Sequence, residues 1–215
     1  MTQIAKLTRL VDAAVEPVSL TSVKTWLRVD NYAEDDLISD LITAARLECE
    51  SRNNRSFIAT TWEYTVNREA WQGNRPGDGC GWQGSGIFYP GAPFGSPRPV
   101  IRLPMPPLIS VESMHSVAFD GVATLIDVDS FVAHPGTPGY VTLPYGWDWP
   151  SASAYSSVRI KYRAGYGELP ADVPRNIVHA IRLLIAHYYE HRTTNAEVPD
   201  AVENLLSPTA WGAYV

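Results

Sequence analysis

The sharpest chemical signal in the sequence is the run His187-Tyr188-Tyr189-Glu190-His191. Two histidines four residues apart on a helix can bind zinc, with the glutamate between them as the general base of a metallopeptidase. A complete site needs a third protein ligand, and the few acids that follow lie in a stretch broken by prolines: Glu197, Asp200 and Glu203. Histidine is also favoured at a helix C-terminus by the helix dipole. We therefore expect a plain helix end without zinc, and keep a zinc-dependent hydrolase built on His187, Glu190 and His191 as the alternative.

The remaining polar residues form no catalytic constellation. No serine stands in a G-x-S-x-G turn, and the chain has neither a P-loop nor a dinucleotide-binding glycine pattern. A group of acids precedes a predicted helix, where capping and the helix dipole explain it better than a metal does: Asp30, Glu34, Asp35 and Asp36. The scattered histidines His115, His134 and His179 are expected to be structural. We predict no catalytic residue, no cofactor and no metal.

Aromatic residues make up 11% of the chain and include seven tryptophans. Tryptophan and tyrosine are enriched in protein interfaces, so several exposed candidates, with two leucines near the C-terminus, are predicted to form contacts between proteins. These candidates are Trp82, Phe88, Tyr89, Phe94, Trp147, Trp149, Leu205, Leu206, Trp211 and Tyr214. Exposed rings such as Trp147 and Trp149 also bind sugars, so a carbohydrate-binding module of a virion is a second alternative.

Charge and cysteine content limit the function classes. The net charge of −6 argues against tight binding of DNA or RNA, because that affinity depends on Lys and Arg that neutralise phosphates. A negative wall repels DNA and so lets it pass without trapping it. Cys49 and Cys80 are too few for a disulfide framework and fit free thiols in a reducing cytoplasm. No apolar stretch is long enough to span a membrane or act as a leader, so we expect a soluble protein.

Helical periodicity occurs near both ends of the sequence. Ser19 is a candidate N-cap for a helix with Leu20, Val23, Trp26 and Leu27 on one face, and residues 28–32 break it. A second helix is predicted to begin near residues 34–36 and to end at Asn53 and Asn54. Pro174 at N1 begins a third helix that ends near His191, and Pro199 begins a short fourth one that Pro208 stops.

The middle of the chain changes to the two-residue period of strands. A strand is predicted over 60–68, and six more follow at 100–103, 109–119, 122–128, 131–133, 140–143 and 158–162. Asp120-Gly121 is a strong hairpin signal. Residues 71–99 are dense in Gly and Pro and form a long loop. Strands separated from helices along the chain predict an α+β fold: residues 1–56 and 169–215 form a small helical bundle, with 57–168 as a strand-rich insertion.

Several segments, in their order along residues 17–207, resemble the phage head–tail connector (adaptor) family, which includes adaptors of gene transfer agents. The N-terminal helix pair is similar in Pro17-Val18-Ser19-Leu20, Trp26-Leu27-Arg28-Val29-Asp30 and residues 35–46, and the next strand in Thr60-Thr61-Trp62-Glu63-Tyr64. The mid-chain and C-terminal segments that are similar are residues 101–111, 162–167, 173–174, 186–192 and 205–206. Loop 71–99 looks longer than in the family, and the tail 211–215 has no counterpart.

The resemblance implies a structural protein of the virion head–tail junction, assembled in the cytoplasm of a bacterial host. It implies a ring, expected to be dodecameric, that sits under the portal protein, contacts a tail-side head-completion or tail protein, and lets DNA pass through its lumen without specific binding. We further predict that the helices form the body of the ring, that the β insertion projects toward a neighbour, and that residues 199–215 reach the portal. Several points stay open: the number of copies, whether the chain is monomeric before assembly, the identity of the tail-side partner, the role of loop 71–99, and whether the particle is a phage, a gene transfer agent or a prophage.

Overall fold

The computed structural model of the chain describes residues 5–67, 100–118, 120–142, 157–191 and 198–210. Four α-helices lie among them: α1 (Leu20–Leu27), α2 (Asp35–Asn53), α3 (Arg175–His191) and α4 (Asp200–Leu206). Eight strands accompany them, β1 (Ala5–Val11), β2 (Thr60–Asn67), β3 (Val100–Arg102), β4 (Leu108–Val117), β5 (Ala123–Ile126), β6 (Val132–His134), β7 (Tyr140–Thr142) and β8 (Ser157–Ala164). The α+β class predicted from the sequence is confirmed.

The helix boundaries follow local chemistry. Ser19 has extended dihedral angles, and its Oγ accepts a hydrogen bond from the Ser22 amide at 3.3 Å, as an N-cap residue does. Arg28 and Asn54 end α1 and α2 in the left-handed conformation, with φ of 58° and 51°. Helix α3 begins one residue after the position predicted from the sequence, so the carbonyl of Pro174 accepts hydrogen bonds from the amides of Ile177 and Val178.

The helices enclose one of the two cores. Helices α2, α3 and α4 pack around Ile38, Ile42, Ala45, Ile177, Ile181, Leu184 and Val202, together with Val23 of α1. The predicted packing of N-terminal helices against C-terminal helices is therefore confirmed. Trp26, expected on the apolar face of α1, is instead 44% exposed, because its ring packs edge-on against His179 at the rim of α3.

The strands form two antiparallel sheets with the orders β1-β2-β8-β4-β5 and β3-β7-β6. Between them lies the second core, which contains Trp62, Met114, Ile160, Tyr162, Ile101 and Val141. The hairpin between β4 and β5 is tightened by the Asp120-Gly121 pair: the Gly121 amide donates to the Ala118 carbonyl, and Gly121 has φ +84°. The seven predicted strands are present as β2 to β8, with ends that differ by a few residues.

Strand β1 is not among the strands predicted from the sequence, which assigns residues 1–56 to the helical bundle. Its segment Ala-Lys-Leu-Thr-Arg-Leu-Val has no clear alternation of apolar and polar residues, because it is an exposed edge strand. It pairs antiparallel with β2 and slips register by a bulge between Arg9 and Val11. The N-terminus thus belongs to the sheet as well as to the helices.

The helices and the sheets meet at one end of β8. The Tyr166 amide donates to the Phe57 carbonyl, and the Gly165 amide donates to the Pro107 carbonyl at 2.8 Å. Gly165 has φ +145°, and a Cβ there would lie 2.6 Å from backbone atoms of Ile58. Glycine is required at this position, which brings the β insertion directly against the helices. None of the described helices has both the length and the apolar character needed to cross a membrane.

Candidate assembly interface

The histidine motif occupies the last turn of α3. The rings of His187 and His191 lie 4.3 Å apart and are tilted by 38°, and His191 Nδ1 lies 2.8 Å from the His187 carbonyl oxygen. Within residues 5–67, 100–118, 120–142, 157–191 and 198–210, no three His, Cys, Asp or Glu side chains are grouped to hold a metal ion. Of the candidate third ligands, Glu203 is paired with Arg52, and Glu197 lies outside the described residues. The geometry is that of a helix end.

The acids before α2 are partly explained by the helix dipole, as predicted, but not by capping. Asp35 and Asp36 lie in the first turn of α2, whereas the N-cap residue Glu34 makes no side-chain capping bond. The Glu34 carboxylate accepts a hydrogen bond from the Tyr189 hydroxyl on α3 instead. Lys24 Nζ of α1 lies 2.6 Å from Asp35 Oδ1. These acids therefore join three helices to one another.

A buried network of charges links the N-terminal segment to α2. Arg46 is 1% exposed, and its guanidinium contacts Glu16 at 2.8 Å, Glu50 at 3.2 Å and Asp12 at 3.3 Å. Glu50, also 1% exposed, forms a further ion pair with Arg9 of β1, with 2.8 Å between Glu50 Oε2 and Arg9 Nη2. Because each buried charge has partners, the network fixes the path of the N-terminal segment across α2.

Hydrogen bonds complete the network at Glu50. Its second carboxylate oxygen accepts from the Phe57 amide at 2.9 Å, so Glu50 also holds the segment that leads into β2. Burial raises the pKa of Glu50 above its ordinary value, against the lowering effect of the Phe57 amide and of Arg46 and Arg9. At Asp12 the same two kinds of effect give the opposite result. Burial would raise the pKa of Asp12, but the Ala13 amide and Arg46 lower that pKa below its ordinary value.

The sequence analysis did not identify this network, although one signal for it exists. Arg46 and Glu50 stand four residues apart on the face of α2 that carries Ile42, Ala45 and Cys49. An ion pair placed on the apolar face of an amphipathic helix indicates a buried pair, because an isolated charge would be too costly there. Nothing in the sequence marks Arg9, Asp12 and Glu16 as its partners.

An open groove of about 670 Å³ lies between α1 and α3. It is lined by Ser22, Thr25, Trp26, Arg28 and Arg182, so it combines two cations with a half-exposed indole and contains no acidic residue. Arg182 Nη2 donates to Ser22 Oγ at 2.8 Å, while its buried Nε has no partner in the described part of the chain. The Arg28 side chain makes no ion pair or hydrogen bond with any described residue. Two cationic side chains are thus left to meet a ligand or a partner.

A second exposed surface lies on residues 120–132, here called the arm, which contain β5 and the segment leading into β6. Four aliphatic side chains of the arm are between 57% and 63% exposed: Val122, Leu125, Val128 and Val132. The arm also carries three acids, Asp120, Asp127 and Asp129, and no Lys or Arg. None of the residues of this surface is among the interface residues predicted from the sequence, which indicates only short strands here.

Most of the predicted interface residues lie outside the described residues: Trp82, Phe88, Tyr89, Phe94, Trp147, Trp149, Trp211 and Tyr214. The same holds for loop 71–99 and for Cys80. Of the other two, Leu206 is 3% exposed and belongs to the helical core, and Leu205 packs partly against that core. The interface role of all ten residues stays a prediction.

Comparison with known proteins gives a family match for the N-terminal third. Residues 17–74 match the model of the phage gp6-like head-tail connector protein family. The match covers α1, α2 and β2, and it confirms the resemblance seen in the sequence. No curated protein matches the chain.

Solved structures extend the likeness to nearly the whole fold. A chain from the neck of an empty gene transfer agent (GTA) particle, computed with C6 symmetry, is 19% identical with a TM-score of 0.71, over 98% of this chain and 97% of that one. A chain from the virion of a native GTA particle has a TM-score of 0.69 at 19% identity, over 97% of each chain. One from the neck of a native GTA particle, computed with C12 symmetry, has 0.65 at 18% identity, over 98% of this chain and 97% of that one. At 18–19% identity, these similarities show that the chain shares the fold of these particle proteins.

Proposed function

We propose that the chain is a structural head–tail adaptor, which forms a ring beneath the portal of a tailed phage or phage-like particle. The observation that carries the proposal is the coincidence of two independent likenesses. The helix pair and first strand match a head-tail connector family, and the complete fold is similar to chains of GTA necks. A scaffold with two cores and exposed apolar and charged surfaces suits a protein that works by binding other proteins.

The ring is proposed to contain twelve copies. One of the similar neck structures was computed with C12 symmetry, which supports this number for a chain of the same fold. A closed ring needs two different contact surfaces on every copy, and the chain offers them on its helices and on its β insertion. The net charge of −6 suits a lumen through which DNA slides without being held.

The C-terminal segment is proposed to contact the portal. Helix α4 is held firmly on the body, since Asn176 Nδ2 donates to the Leu205 carbonyl at 2.8 Å and Asn53 Nδ2 donates to Thr209 Oγ1 at 3.1 Å. Residues 211–215, with Trp211 and Tyr214, continue from this fixed point. Aromatic side chains on an anchored stem are suitable hot-spot residues for a partner protein.

Co-sedimentation with the portal protein of the same particle tests the proposal. Wild-type protein is expected to sediment with the portal, and the double variant Trp211→Ala/Tyr214→Ala is expected to bind at least about tenfold more weakly. Leu169→Ser, which removes a 60% exposed side chain elsewhere on the surface, is the matched control and should bind like the wild type. If the wild-type protein does not sediment with the portal protein, the adaptor role is contradicted. If the double variant binds as tightly as the wild type, the role of the tail is contradicted.

A further inference from the structure

Within the proposed adaptor role, we infer that neighbouring copies of the chain join by inserting the arm of one copy into the groove between α1 and α3 of the next. The arm and the groove are the two surfaces of this subunit contact, and the partner is a second copy of this chain. It rests on the proposed function, since a ring is the assembly that such a contact would build.

The two surfaces are complementary in charge and polarity. The groove presents Arg28 and Arg182 beside the half-exposed indole of Trp26. The arm presents Asp120 and Asp129 beside four exposed aliphatic side chains, and it has no cation that would oppose the groove. An indole that packs on aliphatic groups, flanked by pairs of opposite charge, is the usual composition of an interface core and its rim.

Two of these charges, Arg28 and Asp129, have no partner within the described part of the same chain, whereas Asp120 accepts from the Val122 amide and Arg182 donates to Ser22. Asp129 donates its amide to Asp127 Oδ1, but its own carboxylate makes no ion pair or hydrogen bond there. The Arg28 guanidinium is equally without a partner, and the buried Nε of Arg182 is unsatisfied. An acidic side chain on a neighbouring copy would supply the opposite charge that the exposed Arg28 lacks in its own chain.

The arm cannot reach the groove of its own chain. Strand β4 starts at Leu108, beside Gly165 and the junction with the helices, and runs away from them for ten residues to Val117. At about 3.4 Å per residue, the hairpin turn lies roughly 30 Å from that junction. The groove is lined by residues of the helical part, so the hairpin turn is placed to meet the groove of another molecule and not that of its own chain.

A contact between two different surfaces does not close on itself in a dimer. When the arm of one copy occupies the groove of the next, the groove of the first copy and the arm of the second are still unoccupied. Such a head-to-tail contact continues until the rotation between neighbours closes a ring. The same property allows a decisive test with two variants that each lose one surface.

The groove variant is Trp26→Ala/Arg28→Asp, in which aspartate tolerates the left-handed conformation of residue 28. The arm variant is Leu125→Ser/Asp129→Lys. The control is Leu169→Ser, since Leu169 and Leu125 are 60% and 63% exposed. Circular dichroism and thermal melting of all four proteins establish that the variants are folded like the wild type.

Sedimentation velocity at concentrations up to about 1 mM, where even a contact of millimolar Kd is populated, provides the measurement. We expect the wild type and the Leu169→Ser control to form dimers and larger species, and each double variant alone to associate at least about tenfold more weakly. An equal mixture of the two double variants is expected to form one-to-one dimers and nothing larger. In that dimer, the intact arm of the groove variant occupies the intact groove of the arm variant.

Three results would overturn the inference: wild type that stays monomeric at about 1 mM, either double variant associating like the wild type, or a mixture without dimers or with larger species. Its failure is separable from failure of the adaptor role. Monomeric wild type that still sediments with the portal removes the arm–groove contact alone. Self-association with no portal binding removes the adaptor role alone.

Discussion

The helical body, formed by α1 to α4, and the arm differ in how their charged side chains are buried and paired. In the body, Arg46 and Glu50 are both 1% exposed, and each is surrounded by partners of its own chain. In the arm, Asp129 is exposed, without a partner among the described residues, and next to aliphatic side chains that are more than half exposed. The interior of the body therefore pairs its buried charges within the chain, while the arm leaves an exposed charge for another molecule. Stability depends on the interior of the body, whereas assembly is proposed to use the arm and the groove on the surface of the body.

This division has a physical basis in desolvation. A charge that is removed from water during folding must be paired in the monomer, or the monomer would not fold. A charge that is removed from water only on assembly can stay hydrated until its partner arrives. Substitutions of the buried charges in the body should therefore lower the free energy of unfolding, whereas substitutions in the arm or in the exposed groove should lower association and leave the fold intact.

The largest effect is expected from Arg46→Leu. It leaves Glu50 buried with Arg9 as its only cationic partner and leaves Glu16 and Asp12 without the guanidinium that joins them. Loss of one partner of a buried pair costs about 3–5 kcal/mol, because the remaining charge is uncompensated. Urea denaturation followed by circular dichroism measures the loss of unfolding free energy.

Arg52→Leu is the matched control, because Arg52 lies on the same helix and also contacts two carboxylates, Glu48 and Glu203. Arg52 is 36% exposed, so its loss should cost less than about 1 kcal/mol. Equal losses for Arg46→Leu and Arg52→Leu would contradict the distinction between buried and exposed charges in the body.

The second effect is expected at the junction between the body and the β insertion. Gly165→Ala places a Cβ 2.6 Å from the backbone of Ile58 and forces an unfavourable φ on alanine, so we expect a cost of about 3 kcal/mol. Gly121→Ala, at the hairpin turn before the arm, also has a positive φ but meets nothing within 4 Å. Its cost should be about 1–2 kcal/mol, from the backbone conformation alone.

Thermal unfolding of the two alanine variants separates these cases. Both glycines have positive φ, +84° at Gly121 and +145° at Gly165, and only Gly165 is crowded by other backbone atoms, so the larger loss is expected there. If Gly121→Ala proved as destabilising as Gly165→Ala, the close approach of the backbone at the junction would not be the dominant cost.

The sequence predicted the parts of the fold that local patterns specify. Ser19 as an N-cap, Asn53 and Asn54 as a helix end, and Asp120-Gly121 as a hairpin turn each depend on residues close in the chain. Strand β1 was missed because its pairing with β2 is specified by residues more than fifty positions away, and an edge strand needs no apolar alternation.

The candidate interface was less accessible to sequence reasoning. The interface residues predicted from the sequence are mainly aromatic and lie in glycine-rich and terminal segments. The arm instead exposes Val and Leu, residue types that are usually found in the core. The groove depends on Arg28 and Arg182, which lie on two helices that meet only in the folded chain. Charge complementarity between arm and groove is a property of surfaces, and a linear pattern does not contain it.

The smallest effect concerns a thiol and leaves the fold unchanged. Cys49 is fully buried in the helical core, and burial raises the pKa of its thiol to about 12, with nearby Glu48 adding to the shift. Alkylation requires the thiolate, and an ordinary cysteine has a pKa near 8.5. At pH 8 the thiolate fraction of Cys49 is therefore on the order of a thousandfold lower than that of a free thiol.

The variant Cys80→Ser/Ala123→Cys places a reporter thiol on the exposed β5 strand while Cys49 remains in the body. Iodoacetamide at pH 8, with peptides quantified by mass spectrometry, should modify position 123 at the rate of a free thiol and Cys49 about a thousandfold more slowly. Both should react at similar rates in denaturant. Rapid native labelling of Cys49 would mean that the body opens as readily as the arm is exposed, and the two regions would then differ in composition but not in stability.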